Sequence, residues 1–263
     1  MRQLPRLTRL GLLPALGGRT KEVCSQLTDA DRLRAARVHP ISVLVAQRTY
    51  ASGASHRGTA RWKPTTRVAD ALDAAFYAAF GAVEPSGRRT MLAVDVSGSM
   101  TMPISGMGLT AREASAALAL VQLATEPDAA AYGFSAGEGW YRPALAPLDI
   151  SPRRRLDDAL AAVDAIPMGG TDCALPMLYA TEQKLAVDTF VVYTDNETWA
   201  GKVHPHQALR RYRERSGIDA RLIVVGMTAT GFSIADPDDP GMLDVVGFDA
   251  AVPSLITEFA RGL

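Results

Sequence analysis

RTMLAVDVSGSM, residues 89–100, decides the fold. Met91 to Val94 is a short apolar run without polar alternation, the pattern of a strand buried on both faces. Asp95 follows it, and Gly98 with the later Met-Gly stretch breaks the chain into a loop, so Asp95, Ser97 and Ser99 hang from the strand's C-terminal end. A second apolar run, TFVVYT at 189–194, leads in the same way into Asp195, while Thr171 follows the Gly169-Gly170 turn that opens a helix. In an open parallel sheet such loops converge on one crevice.

Outward from this stretch, strands and helices alternate. Strands are expected at Met91 to Val94, Ala130 to Phe134, Phe190 to Thr194 and Arg221 to Gly226, with a weaker one near Asp244 to Gly247. Helices are expected at Thr110 to Thr125, Pro152 to Ile166, Cys173 to Lys184, Pro205 to Arg215 and Pro253 to Arg261. Such alternation argues for right-handed crossovers and an α/β domain with a doubly wound, mostly parallel sheet, placed at residues 88–263. Residues 1–87 read as helical. Thr28-Asp-Ala-Asp31 resembles a capping box that opens a helix running to about Arg37. Pro40 suits the first turn of the next helix, which carries Ile41, Leu44, Val45 and Arg48 at helical spacing and ends at Gly53. A further helix is expected from Val68 to Phe80.

The residue types in the crevice point to a divalent cation. Mg²⁺ and Mn²⁺ prefer oxygen ligands in octahedral geometry, and Mg²⁺ tends to keep several waters. Neutral hydroxyls with few carboxylates leave such an ion electron-poor, a receptor for an acidic group from another molecule. Asp95, Ser97, Ser99, Thr171 and Asp195 form this candidate metal site, with Mg²⁺ the first choice of ion. An Asp-x-Ser-x-Ser pattern alone commonly just makes turns. Thr171 and Asp195 in matching strand-loop contexts are what raise it above that reading.

At these five positions the chain resembles a von Willebrand factor A domain with a metal-ion-dependent adhesion site. The resemblance implies that Ser97, Ser99 and Thr171 ligate the ion directly, that Asp95 and Asp195 complete its shell directly or through water, and that a partner replaces one water. Longer stretches narrow the likeness: ARVHPISVLVAQRTYASG (36–53), DALDAAFYAAFGAVEPSGRRTMLAVDVSGSM (70–100), GGTDCALPM (169–177) and YTDNETWAG (193–201) resemble the C-terminal half of the Ro ribonucleoprotein, or TROVE-domain, family. That family combines a ring of HEAT-like helical pairs with a von Willebrand A domain. The resemblance implies a HEAT-like helical segment before the sheet, small noncoding Y-like or misfolded RNA as partner, and association with exoribonucleases. Only 94 residues precede Asp95, whereas the family's ring takes several hundred, so the family's defined Y-RNA contacts cannot be transferred residue by residue.

Charge is distributed unevenly. The formal net charge is zero, yet through Gly87 the chain has 13 Lys or Arg against 6 Asp or Glu, and the remainder has 15 against 22. A basic helical part beside an acidic metal domain is expected if the first faces phosphates. The alternative is that the halves simply attract one another. The richest RNA candidate is the loop SGASHRGTARWKPTTR, carrying His56, Arg57, Arg61, Trp62, Lys63 and Arg67 close to Arg48, cations for phosphates with an aromatic ring for a base. Trp62 has a second reading, as an anchor of the loop on the core. Arg210, Arg211, Arg213 and Arg215 read as a solvated helix face.

Other function classes find little support. No apolar run approaches the roughly 20 residues that span a bilayer. The acid-free first 21 residues suit an amphipathic helix better than an organellar transit peptide. Cys24 and Cys173 lack C-x-x-C spacing, which suits a reducing cytoplasm; Cys173 reads as a packed residue rather than a nucleophile, and His204 and His206 lack further ligands for zinc. No phosphate-binding loop, nucleophile elbow or H-E-x-x-H pair appears, so no catalytic residue is assigned. Two function classes remain: an RNA-binding ribonucleoprotein component, or a metal-dependent protein-binding module whose acidic partner ligates the ion.

Overall fold

The computed structural model describes residues 1–55, 58–135, 144–151, 153–195, 198, 200–228, 233–249 and 251–263. They fall into two compact units, Met1–Glu84 with Pro103–Leu109, and Pro85–Met102 with Thr110–Leu263.

The first unit is helical: α1 (Leu4–Arg9), α2 (Gly18–Leu27), α3 (Ala30–Ala35), α4 (Pro40–Ala51) and α5 (Thr66–Ala78), followed by a 3-10 turn at Ala79–Ala82. Its core gathers Leu4, Leu13, Leu27, Tyr50, Val68 and Leu72. Asp29, not Thr28, caps α3 by accepting the Arg32 N–H, because the Thr28 hydroxyl is turned back onto the last carbonyls of α2, Cys24 O and Ser25 O. Pro40 opens α4 as expected, with His39 as the cap, and Gly53 ends it in a left-handed conformation (φ +68°). The buried face of α4 includes Ile41 and Leu44 but also Val43, while Val45 and Arg48 are only half-buried.

The second unit is a six-stranded sheet, β1 (Thr90–Asp95), β2 (Ala129–Ser135), β3 (Ala144–Pro147), β4 (Thr189–Thr194), β5 (Arg221–Gly226) and β6 (Met242–Val246), in the order β3-β2-β1-β4-β5-β6. All neighbours pair in parallel except β2 with β3. The crossovers are carried by α6 (Ala111–Thr125), α7 (Leu156–Asp164), α8 (Leu175–Glu182) and α9 (Pro205–Ser216), and α10 (Val252–Arg261) closes the chain. β1 and β4 are buried at every residue, as strands covered on both faces must be. The doubly wound, mostly parallel α/β sheet expected for the larger part is therefore present.

Two elements differ from expectation. The antiparallel edge strand β3 was not anticipated, because its sequence, ALAP, is too short to show a period and ends in a proline that suits only an edge. α7 begins at Leu156, with Asp157 and Asp158 in its first turn, and the earlier start expected at Pro152 lies outside the described residues. α6 starts where a capping box places it: the Thr110 hydroxyl accepts the Glu113 N–H, and the Glu113 carboxylate accepts the Thr110 N–H.

Candidate metal centre and basic loop

The strand order decides where the crevice lies. From β1 the chain builds outward through β2 to β3, then returns to the centre and builds the other way through β4, β5 and β6. The order thus reverses between β1 and β4, and ligands of open α/β sheets bind beyond the strand carboxyl ends at such a point. Asp95 is the last residue of β1, and Asp195 follows the last residue of β4.

Asp95 is fully buried. One carboxylate oxygen accepts the Ser97 N–H at 2.8 Å, and the other accepts the Thr194 hydroxyl at 2.9 Å. That same hydroxyl stands 3.4 Å from Asp195 Oδ1, so Thr194 bridges the two carboxylates. Burial is the main cause that pushes the Asp95 pKa up to about 6; the donors on it pull down, and the nearby Asp195 charge adds to the rise. Neither Asp95 nor Asp195 forms an ion pair with a Lys or Arg among the described residues. Two buried carboxylates on one crevice without a basic partner call for a cation.

The hydroxyls complete the set. Ser97 precedes a 3-10 turn at Gly98–Thr101 without capping it through its side chain, Met100 of that turn is fully buried, and Ser97 Oγ shares a hydrogen bond of 3.1 Å with Ser99 Oγ. Thr171 is fully buried, and its Oγ1 has no hydrogen-bond partner among the described residues. Leaving a buried hydroxyl unpaired costs about 1–3 kcal/mol, so an oxygen in this position fits a ligand still to be added. The five residues therefore suit a hard divalent ion: oxygen donors only, two carboxylates, and one buried hydroxyl to spare.

Neighbouring residues hold these oxygens in place. Ala200 N–H donates to Thr171 O, and Cys173 N–H to Thr198 Oγ1, so the loop after β4 is tied to the turn before α8. Asp172, also buried, accepts the Ala174 N–H, and any side chain at Gly201 would run into its carboxylate. From behind, the Arg112 guanidinium of α6 donates to Val96 O at 3.3 Å, Ser97 O at 3.2 Å and Asp164 Oδ1 at 2.6 Å. Thr194 and Arg112 escaped the sequence reading. Thr194 was visible only as the residue before Asp195, and an arginine in a helix is ordinarily read as surface. Cys173 is wholly buried, and burial pushes its thiol well above the ordinary range, which removes it as a nucleophile.

The basic loop belongs to the helical unit. Ala54 pairs with Arg61 in an isolated antiparallel bridge, and Arg61, Lys63 and Arg67 are exposed. Trp62 is half-buried: its Nε1–H donates to Tyr50 O at 2.9 Å, and its ring stacks on Tyr50 at 6.5 Å between centroids. Of the two readings of Trp62, these contacts favour the loop anchor, since an indole satisfies both its apolar body and its single donor on the helix. Arg48 is half-buried and already engaged. His56 and Arg57 lie outside the described residues.

Comparison with known proteins follows the same lines. Residues 89–260 match the Ro60 vWA domain family. The chain belongs to the Ro60 vWA-domain family. Across its full length this Ro60-type chain is 49% identical to the RNA-binding protein RO60 of Deinococcus radiodurans and 42% identical to that of Caenorhabditis elegans. It spans only 49% and 40% of those two proteins, about half of the curated relatives it matches. The crystal structure of the Deinococcus radiodurans Ro (Rsr) protein superimposes with a TM-score of 0.91, covering 99% of the Ro60-type chain and 52% of that structure. Among the described residues, no helix is long and apolar enough to cross a membrane.

Proposed function

We propose that this chain is the RNA-binding component of a Ro-type ribonucleoprotein. In this reading Arg61, Lys63 and Arg67 neutralise RNA phosphates, and Asp95, Ser97, Ser99, Thr171 and Asp195 hold Mg²⁺, or Mn²⁺ in its place. The observation that carries it is the exposed Arg61 and Lys63 on a loop fastened by Trp62 to Tyr50, with the exposed Arg67 in the first turn of α5, in a chain whose close relatives are named RNA-binding proteins. The RNA is small and noncoding, Y-like or misfolded, a choice that rests on the family resemblance. The ion serves capture rather than hydrolysis: its residues offer no general base with a free lone pair beyond the two carboxylates that would hold it. An exoribonuclease, or another protein offering a carboxylate, is the partner for the replaceable water. Free thiols at Cys24 and Cys173 suit a reducing cytoplasm.

The test is RNA binding by the whole chain across a salt titration, wild type against Arg61→Gln, Lys63→Gln and Arg67→Gln combined. Loss of three phosphate contacts on a single strand flattens the slope of log affinity against log salt by about 2. Absence of binding at low salt would sink the RNA reading. Metal-dependent capture of an acidic protein, which the unpaired Thr171 hydroxyl supports independently, would then be the function to pursue.

A further inference from the structure

The second unit carries a basic surface of its own. Residues 88–263 hold 15 Lys or Arg against 22 Asp or Glu, yet α9, PHQALRRYRERS, has four arginines and one glutamate. Its inner face is apolar: Pro205, Ala208, Leu209 and Tyr212 are buried. Arg213 turns back to the fold, donating to Ala220 O at 2.8 Å and pairing with Asp239 at 2.5 Å. Arg210, Arg211 and Arg215 are exposed, and none forms a salt bridge among the described residues, although the Arg210 charge is near enough to help hold the Asp239 carboxyl below its ordinary range.

Ordinary helix physics explains only part of this. A cation in the last turn complements the helix dipole, which accounts for Arg215. Arg210 and Arg211 sit a turn or more earlier, and like charges four residues apart, as Arg211 and Arg215 are, weaken a helix by about 0.2–0.5 kcal/mol per pair. In an acidic unit, three exposed arginines, with only Arg210 in electrostatic reach of an acid that Arg213 already pairs, are a local excess of positive charge. Guanidinium groups are planar forks that take phosphate oxygens two at a time, and Arg211 and Arg215, one turn apart, stand about 5–6 Å from each other at Cβ.

We infer that the outward face of α9, formed by Arg210, Arg211 and Arg215, is a second contact surface for the RNA phosphate backbone, carried by the metal-site unit itself. The inference rests on the RNA-binding reading above, and its test separates the two. The whole chain is titrated with a single-stranded oligouridylate over a range of salt. Four proteins are compared: wild type; the loop variant with Arg61, Lys63 and Arg67 changed to Gln; Arg210→Gln, Arg211→Gln and Arg215→Gln combined; and a charge-matched control, Arg153→Gln, Arg154→Gln and Lys184→Gln combined. Glutamine has nearly the helix propensity of arginine, so α9 stays folded, and circular dichroism melts verify it.

The α9 variant is expected to flatten the salt slope by about 2 and to weaken binding at least tenfold at about 50 mM salt, while the control leaves the slope unchanged. An unchanged slope in the α9 variant, with the loop variant impaired, would overturn this surface and leave the proposed function standing. Equal losses in the α9 variant and the control would also overturn it, since net charge alone would then explain the effect. If the wild type binds no oligouridylate, both readings fall together.

Discussion

Thr171→Val separates a structural hydroxyl from a metal ligand. Valine has nearly the shape of threonine but no oxygen, and Thr171 Oγ1 is buried without a hydrogen-bond partner among the described residues. If that oxygen awaits an ion, it costs the ion-free protein something in the range of 1–3 kcal/mol, and its removal stabilises the protein in chelator by about 1 kcal/mol or more. With Mg²⁺ at a hundredfold excess over its dissociation constant, wild type gains about 2.7 kcal/mol, because the ion binds only the folded state. For a unit of this size that is a rise in melting temperature of about 5–10 °C. Thr171→Val should show little or none of that rise. The assay is differential scanning fluorimetry in chelator and across a Mg²⁺ titration, repeated with Mn²⁺. A variant that melts lower than wild type in chelator, or that shows the full Mg²⁺ shift, would refute the argument that the orphaned oxygen faces a cation.

Three further outcomes follow from other residues. His39 caps α4 with its Nδ1 accepting the Ile41 N–H, and burial lowers its pKa from 6.5 to about 4. The unfolded chain therefore takes up a proton first as pH falls, so stability present above pH 6.5 is lost on the way to pH 4, by up to about 3 kcal/mol. His39→Asn keeps the cap, and urea midpoints at the two ends of that window should show this part of the pH dependence gone. Arg112→Met removes the guanidinium donor from Val96 O and leaves Ser97 O with only the Met100 N–H, which should cost about 1–3 kcal/mol in urea denaturation, with Arg112→Lys restoring only part because one ammonium cannot reproduce the fork. Gly201→Ala places a Cβ against the Asp172 carboxylate at a left-handed position (φ +89°), and should lower stability by about 1–3 kcal/mol in the same assay.

How much could be read beforehand depended on whether a residue's signal was local. β1 and β4 are apolar at nearly every position, and β5 carries an equally dense run, so each announced itself. The candidate ion residues were legible for the same reason, since each of the three segments ends an apolar run or a glycine turn. β3 has four residues and draws its identity from β2, its only partner among the described residues, so no local pattern marks it. The cap of α3 slipped by one residue because Thr28 and Asp29 both cap well, and only the end of α2 decides which is free. Arg112 was missed, and Trp62 was left with two readings, on similar grounds. Both are amphipathic side chains whose buried role appears only when another segment supplies the carbonyls, Val96 O and Ser97 O for one and Tyr50 O for the other.

The reversal of strand order at β1 and β4 also bears on how the protein assembles. Asp95 and Thr194 meet across that seam although they lie 99 positions apart in the chain. Closing a loop of that length costs about 4 kcal/mol of chain entropy before any contact rewards it, and parallel pairing of distant strands is correspondingly slow. No hairpin or single crossover formed earlier contains both carboxylates, so the crevice is complete only once the two halves of the sheet have joined. Uptake of the ion would then report the last stage of folding, and its release on dilution into chelator would time the parting of the two central strands.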